Sequence, residues 1–208
     1  MMKGWDSSIA TMPYSKFDLL KAQNELNLTI HEVIHFLPDL PVVAPDMLLK
    51  EILAENVPLA LAQGNEKARS EWIINPVLTA VRRLSNADVS VFSGREFNVD
   101  PARDLTGYVD FLVARSRRLL VLEAPIIMLV EAKPENLNAG LGQCAAEMVA
   151  AQIFNQQPNQ TIYGCVTNGE LWKFLKLHQT DLIIDLDAYA LDPIERLLGI
   201  LIYLAHEG

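Results

Sequence analysis

An apolar run ends on two charged residues in this chain, and a third charge is embedded in an apolar run just before it. Residues 126–130 read Ile-Ile-Met-Leu-Val, and Glu131-Ala132-Lys133 follows at once. In a strand, Glu131 and Lys133 leave the same face and Ala132 the other. Asp110 lies inside Tyr108-Val109-Asp110-Phe111-Leu112-Val113, with apolar neighbours on both sides. Charges in such settings are costly unless they are paired, exposed at a strand terminus or bound to an ion. If the two strands are close in one sheet, Asp110 and Glu131 supply the carboxylate oxygens that a hard cation such as Mg²⁺ or Mn²⁺ prefers. Lys133 then stands beside an attacking water and a phosphate, where it can position or deprotonate the nucleophile and offset developing charge. The competing reading is an ion pair at a strand end, because Glu and Lys often alternate on exposed strands.

A second pattern, His31-Glu32-Val33-Ile34-His35, matches the HExxH signature of zinc peptidases. That chemistry needs both histidines one helical turn apart on zinc and the glutamate on its water. Glu55 follows at a distance that suits a third ligand. Prolines 38, 41 and 45 cut any such helix short, which favours a chance match in a short helix.

The elements that must position these residues follow from periodicity and punctuation. Residues 15–62 read as mostly helical but broken by prolines, with 47–54 a short helix capped by Asp46. Residues 65–84 form an amphipathic helix on Ile73, Val77, Ala80, Val81 and Leu84, which Pro76 should kink. Segments 89–99, 108–114, 119–123 and 126–133 read as strands, with Arg115-Ser116-Arg117-Arg118 a solvated turn. A helix over 137–155 is rich in Gly and Ala, which permits close approach to a sheet. Strands over 162–167, 171–177 and 182–186 follow, the first two joined by a hairpin turn at Thr167-Asn168-Gly169-Glu170. Pro193 opens a last helix. This order predicts an α/β or α+β sheet with helices on its faces. Residues 1–62 form a mostly helical N-terminal extension and 63–208 the core of one compact unit.

Composition bounds the function. With 208 residues and 50% of them hydrophobic, the chain can hide about 70% of its unfolded surface in one domain. No run reaches the roughly 18 apolar residues of a membrane span. The first residues lack a signal-peptide pattern, and Cys144 and Cys165 lack CxxC spacing, so a cytoplasmic protein is expected. A net charge of −9 opposes a broad nucleic-acid-binding surface, leaving a local basic patch or a partner. Arg82, Arg83, Arg103, Arg115, Arg117, Arg118, Lys173 and Lys176 are the candidate phosphate contacts, though a solvated face suits most of them better. Trp5, Trp72 and Trp172 read as packing residues.

Gly107-Tyr108-Val109-Asp110, then Val130-Glu131-Ala132-Lys133, then the helix carrying Gln143, together resemble the PD-(D/E)XK nuclease superfamily. The likeness extends over roughly residues 66–177, with Val109 where the name's proline stands. It implies a restriction-endonuclease-like mixed sheet flanked by helices and a Mg²⁺- or Mn²⁺-dependent nuclease acting on DNA. It also implies that Asp110 and Glu131 hold metal with the Ala132 carbonyl, while Lys133 serves catalysis. Gln143 and Glu66 are supporting residues by the same resemblance, with Glu71 assigned to a different helical face. Gly140, Gln143 and Glu147 share one face of their helix. The superfamily also includes inactive members, so a binding or assembly module is the alternative. A homodimer would suit cleavage of both strands.

Overall fold

The computed structural model describes residues 13–207. Among them, eight strands form one mixed sheet, and helices cover both of its faces. The elements are α1 (Leu19–Leu26), β1 (Thr29–Val33), α2 (Met47–Gln63), α3 (Glu66–Arg69), α4 (Asn75–Leu84), β2 (Ser90–Glu96), β3 (Tyr108–Ala114), β4 (Ile126–Ala132), α5 (Leu141–Asn155), β5 (Ile162–Thr167), β6 (Leu171–His178), β7 (Asp181–Asp185), β8 (Tyr189–Ala190) and α6 (Ile194–Glu207). The sheet order is β1-β7-β6-β5-β4-β3-β2, with β8 beside the start of β6. The β1–β7 and β4–β5 pairs are parallel and the others antiparallel. Every residue of β4 and β5 is buried, as central strands covered on both faces require.

One face carries α1, α5 and a 3-10 turn at Pro13–Lys16. The other carries α2, α4 and α6. The small residues of α5 do what their size allows. A Cβ at Gly142 would come within 2.1 Å of the Asp18 carbonyl carbon, so α1 begins in direct backbone contact with α5.

Several elements differ from the sequence reading, each for a physical reason. The segment read as helical over 15–62 contains β1, which pairs with β7 from Thr29↔Asp181 to Val33↔Asp185. The helix after Asp46 does not stop near residue 54 but runs to Gln63, through Pro58. Pro58 and Ala54 are both exposed, so water can take the carbonyl that the proline cannot serve. Pro76 does not merely kink its helix. It follows a π-helical turn at Ser70–Ile74, where the Asn75 N–H reaches back to the Ser70 carbonyl. The Trp72 carbonyl, which residue 76 would otherwise satisfy, accepts from Asn56 Nδ2 at 3.1 Å instead. Residues 119–123 form no strand; they lie in the loop between β3 and β4, which pair directly with each other. Trp172 is fully buried as expected, and Trp5 lies outside the described residues. Among the described residues, no helix is long and apolar enough to cross a membrane.

Candidate active site

The candidate residues meet where β3 and β4 part. The antiparallel ladder between them runs as far as Phe111↔Val130, so Asp110 and Glu131 face each other just beyond its end. There the Ala132 N–H turns to a side chain, donating to Asp110 Oδ2 at 2.8 Å. On its other edge β4 stays paired with β5 through Ala132↔Thr167, and the Lys133 N–H donates to the Thr167 carbonyl. The strand is thus paired on one side and opened on the other, and the opening leaves Asp110 half-buried at the edge of a cavity.

Alternation along β4 sends Glu131 and Lys133 toward α5 and leaves Ala132 with the opposite core, as their spacing predicts. Lys133 Nζ lies 2.6 Å from Glu131 Oε1 and donates to Gln143 Oε1 at 3.2 Å. Gln143 Nε2 in turn donates to Glu147 Oε1 at 3.1 Å. Gly140 is what makes room for the lysine. A Cβ there would sit 2.7 Å from Val166 Cγ1 and 3.0 Å from Lys133 Cγ.

On the far side of the opening is a cavity of about 260 Å³, lined by Glu66, Lys67, Ser70, Glu71, Ser93, Gly94, Asp110 and Ala132. Glu66 enters from α3, whose N-cap is Asn65, and lies at the solvent-exposed rim. Glu71 lines the same cavity and pairs with Lys67 at 2.8 Å, which corrects its assignment to a different face. The wider π turn rotates residues 70–74 relative to a regular helix.

The electrostatics are lopsided. Four carboxyl groups, Glu66, Asp110, Glu131 and Glu147, interact with one ammonium, Lys133. Burial, then the nearby Asp110 carboxyl, pushes Glu131 up to about 8 despite the adjacent lysine. Asp110 is raised mainly by burial, which outweighs the Ala132 N–H and Lys133. Burial also raises Glu66 at the cavity rim. Glu147, fully buried, is raised well above the carboxylate range by burial and by Glu131. For Lys133 burial acts downward, yet Glu131 and the other carboxyls hold its ammonium above the usual lysine value. Glu131 Oε2 is buried with no hydrogen-bond partner.

An excess of buried carboxyl oxygen with an orphaned atom is what a divalent cation would relieve. The donor set is oxygen only, which favours hard cations such as Mg²⁺ or Mn²⁺. Among the described residues, no three His, Cys, Asp or Glu side chains converge tightly enough to cage a metal by themselves. Mg²⁺ does not require that, because it keeps several waters and takes one or two carboxylates.

The HExxH pattern is corrected by the fold. His31, Glu32 and Val33 belong to β1, not to a helix, so Glu32 leaves the opposite face from His31. His31 pairs with Asp181 at 3.0 Å, while His35 lies beyond the strand and pairs with Asp187. The helical turn that would bring the two histidines onto one zinc is absent.

The arginines are mostly committed elsewhere. Arg83 pairs with Asp46, Arg117 with Asp88 and Arg118 with Glu123, while Arg115 donates to the His206 carbonyl. Residues 115–118 follow β3, at the end of the sheet away from Asp110. Lys67 at the cavity wall, Lys173, which donates to Asn138 at 3.3 Å just before α5, and Arg95, in register with Val109 beside Asp110, are cations placed near the site. Glu147 is the residue that motif reading left unassigned. Its helical spacing from Gln143 was visible, but its burial was not. Compared with protein-family models and with curated proteins, the chain matches none.

Proposed function

We propose that this protein is a divalent-metal-dependent nuclease of the PD-(D/E)XK kind, hydrolysing phosphodiester bonds in DNA. One observation carries the reading: Asp110, Glu131 and Lys133 meet at the opened β3–β4 end, beside Gln143 and within electrostatic reach of Glu66. Asp110, Glu131 and the Ala132 carbonyl are the groups that would hold Mg²⁺ or Mn²⁺. Such an ion, when bound, would offset charge on the phosphate and acidify a water.

This chain's own residues account for the rest. Lys133, kept protonated by Glu131, presents a positive charge to the phosphoryl oxygens as water attacks phosphorus and the bond to the leaving oxygen breaks. Asp110 and Glu131 would be ionised when they hold the ion, so the proton that the water releases leaves to solvent through the open cavity beside Asp110. Lys67 and Lys173 are the candidate contacts to flanking phosphates. The restriction-endonuclease-like arrangement of the sheet is part of the same reading, and a homodimer would place two such sites on two strands.

Cleavage of plasmid and of labelled duplex oligonucleotides with Mg²⁺ or Mn²⁺ tests this, with Lys133→Ala and Asp110→Ala as controls. Wild type should cut, and each variant should lose on the order of 10²-fold or more in rate. Equal inertness of all three over many substrates would remove the nuclease reading. The net charge of −9 then favours a second one, a binding or assembly module on the same fold.

A further inference from the structure

We propose that Glu147 is a positioning residue for Lys133, acting through the amide of Gln143; this rests on the nuclease reading for its catalytic meaning, but not for its geometry. Glu147 lies in the middle of α5, wholly buried, among Cys144, Ala146, Met148, Ala150 and Ala151. An apolar side chain would satisfy that environment at no desolvation cost. Instead one carboxyl oxygen accepts from Gln143 Nε2 at 3.1 Å, and the other has no partner.

The consequence lies in the polarity of an amide. Gln143 has one donor end and one acceptor end. With Glu147 accepting, the Nε2 end must turn toward 147, and Oε1 is left facing Lys133 Nζ at 3.2 Å. Were the amide reversed, its NH₂ would oppose an ammonium, two donors face to face. An acceptor at 147 therefore fixes the amide so that it receives the lysine. Lys133 is then held from two sides, by Glu131 Oε1 and by Gln143 Oε1, and Gly140 leaves it just enough room. A lysine on a four-carbon stem otherwise samples many rotamers. Holding it aimed is what a catalytic ammonium needs.

Glu147→Gln keeps an acceptor oxygen at the same place, whereas Glu147→Met keeps the length and removes it. Lysine acylation footprinting in the full chain reads the ammonium directly, with exposed Lys50 as internal reference. Lys133 should be labelled several-fold faster in Glu147→Met, and no faster than in wild type in Glu147→Gln. Both variants should melt within a few degrees of wild type. Where wild type cuts DNA, Glu147→Met should lower kcat roughly ten-fold with KM little changed, the worth of one hydrogen bond to a charged group. Adding Gln143→Leu to Glu147→Met should slow it no further than Gln143→Leu alone, because the two act in series. Lys133 labelling that is equal in wild type and Glu147→Met, or additive losses in the double variant, would overturn the proposal. A wild type that never cuts, with the footprint changed as expected, supports the positioning role and removes the nuclease reading instead.

Discussion

Glu131 sets the pH behaviour of the site at the level of single residues. In the unfolded chain its carboxyl ionises near the ordinary value of about 4.3. In the folded protein, burial and then Asp110 push it up to about 8, with Lys133 opposing and Glu66 adding to the rise. A carboxyl raised on folding contributes stability below its unfolded value, and that contribution is lost as pH climbs through the folded one. Asp110, Glu66 and Glu147 shift in the same direction. Lys133, raised, stays charged in both states across this window and adds no slope. The metal-free protein in EDTA should therefore melt several degrees lower at pH 8 than at pH 5. Glu131→Gln should flatten that trend, and saturating Mg²⁺ should recover the loss at pH 8 by binding the ionised site. Calorimetric scans at both pH values decide it. A wild type that melts no lower at pH 8, or a Glu131→Gln variant with the same slope, would contradict this account.

At the scale of elements, the site depends on how closely α5 approaches the sheet and α1. Gly140→Ala places a Cβ 2.7 Å from Val166 Cγ1 and 3.0 Å from Lys133 Cγ. Side chains can yield there, so the cost should be about 1–2 kcal/mol, with Lys133 displaced and activity falling more than stability. Gly142→Ala meets backbone, the Asp18 carbonyl carbon at 2.1 Å and its oxygen at 2.4 Å, and backbone at a helix start cannot move aside cheaply. It should cost more, about 3 kcal/mol, by loosening α1 from α5. Denaturant melts of the two variants rank them, and an order with Gly140→Ala the less stable would undercut the packing argument. The π turn before Pro76 belongs to this scale too. It carries the chain past a residue that can donate no hydrogen bond, while Asn56 of α2 serves the Trp72 carbonyl.

The whole molecule is acidic, and several of its arginines are paired with internal carboxylates. On the proposed nuclease reading, DNA would be recruited through few phosphates and through metal at the carboxylates. Fluorescence anisotropy with duplex DNA should show weak binding in EDTA and tighter binding in Ca²⁺, which fits the oxygen ligands without the demands of catalysis. The salt dependence should be shallow, a log–log slope of about −2 to −3, because few cations, Lys67, Arg95 and Lys173 among them, are placed to meet phosphates. A steep slope with tight metal-free binding would mean that another surface holds the DNA.

Local rules determined much of this protein before any fold was known. The buried run of β4, the Asp46 cap, the hairpin between β5 and β6 and the shared face of Glu131 and Lys133 all follow from periodicity, capping and turn chemistry. Those signals involve residues a few positions apart, so the sequence carries them. What depends on distant partners was decided only in three dimensions. His31 lies in a strand because β7 offers an edge to β1 roughly 150 residues away, an energy that no local pattern around HExxH contains. Residues 119–123 have strand composition, yet β3 and β4 pair directly with each other and leave them in the connecting loop. Glu147 looks like any helical glutamate until α5 is pressed against the sheet and α1. Burial then turns it from a solvated charge into the acceptor beneath Gln143.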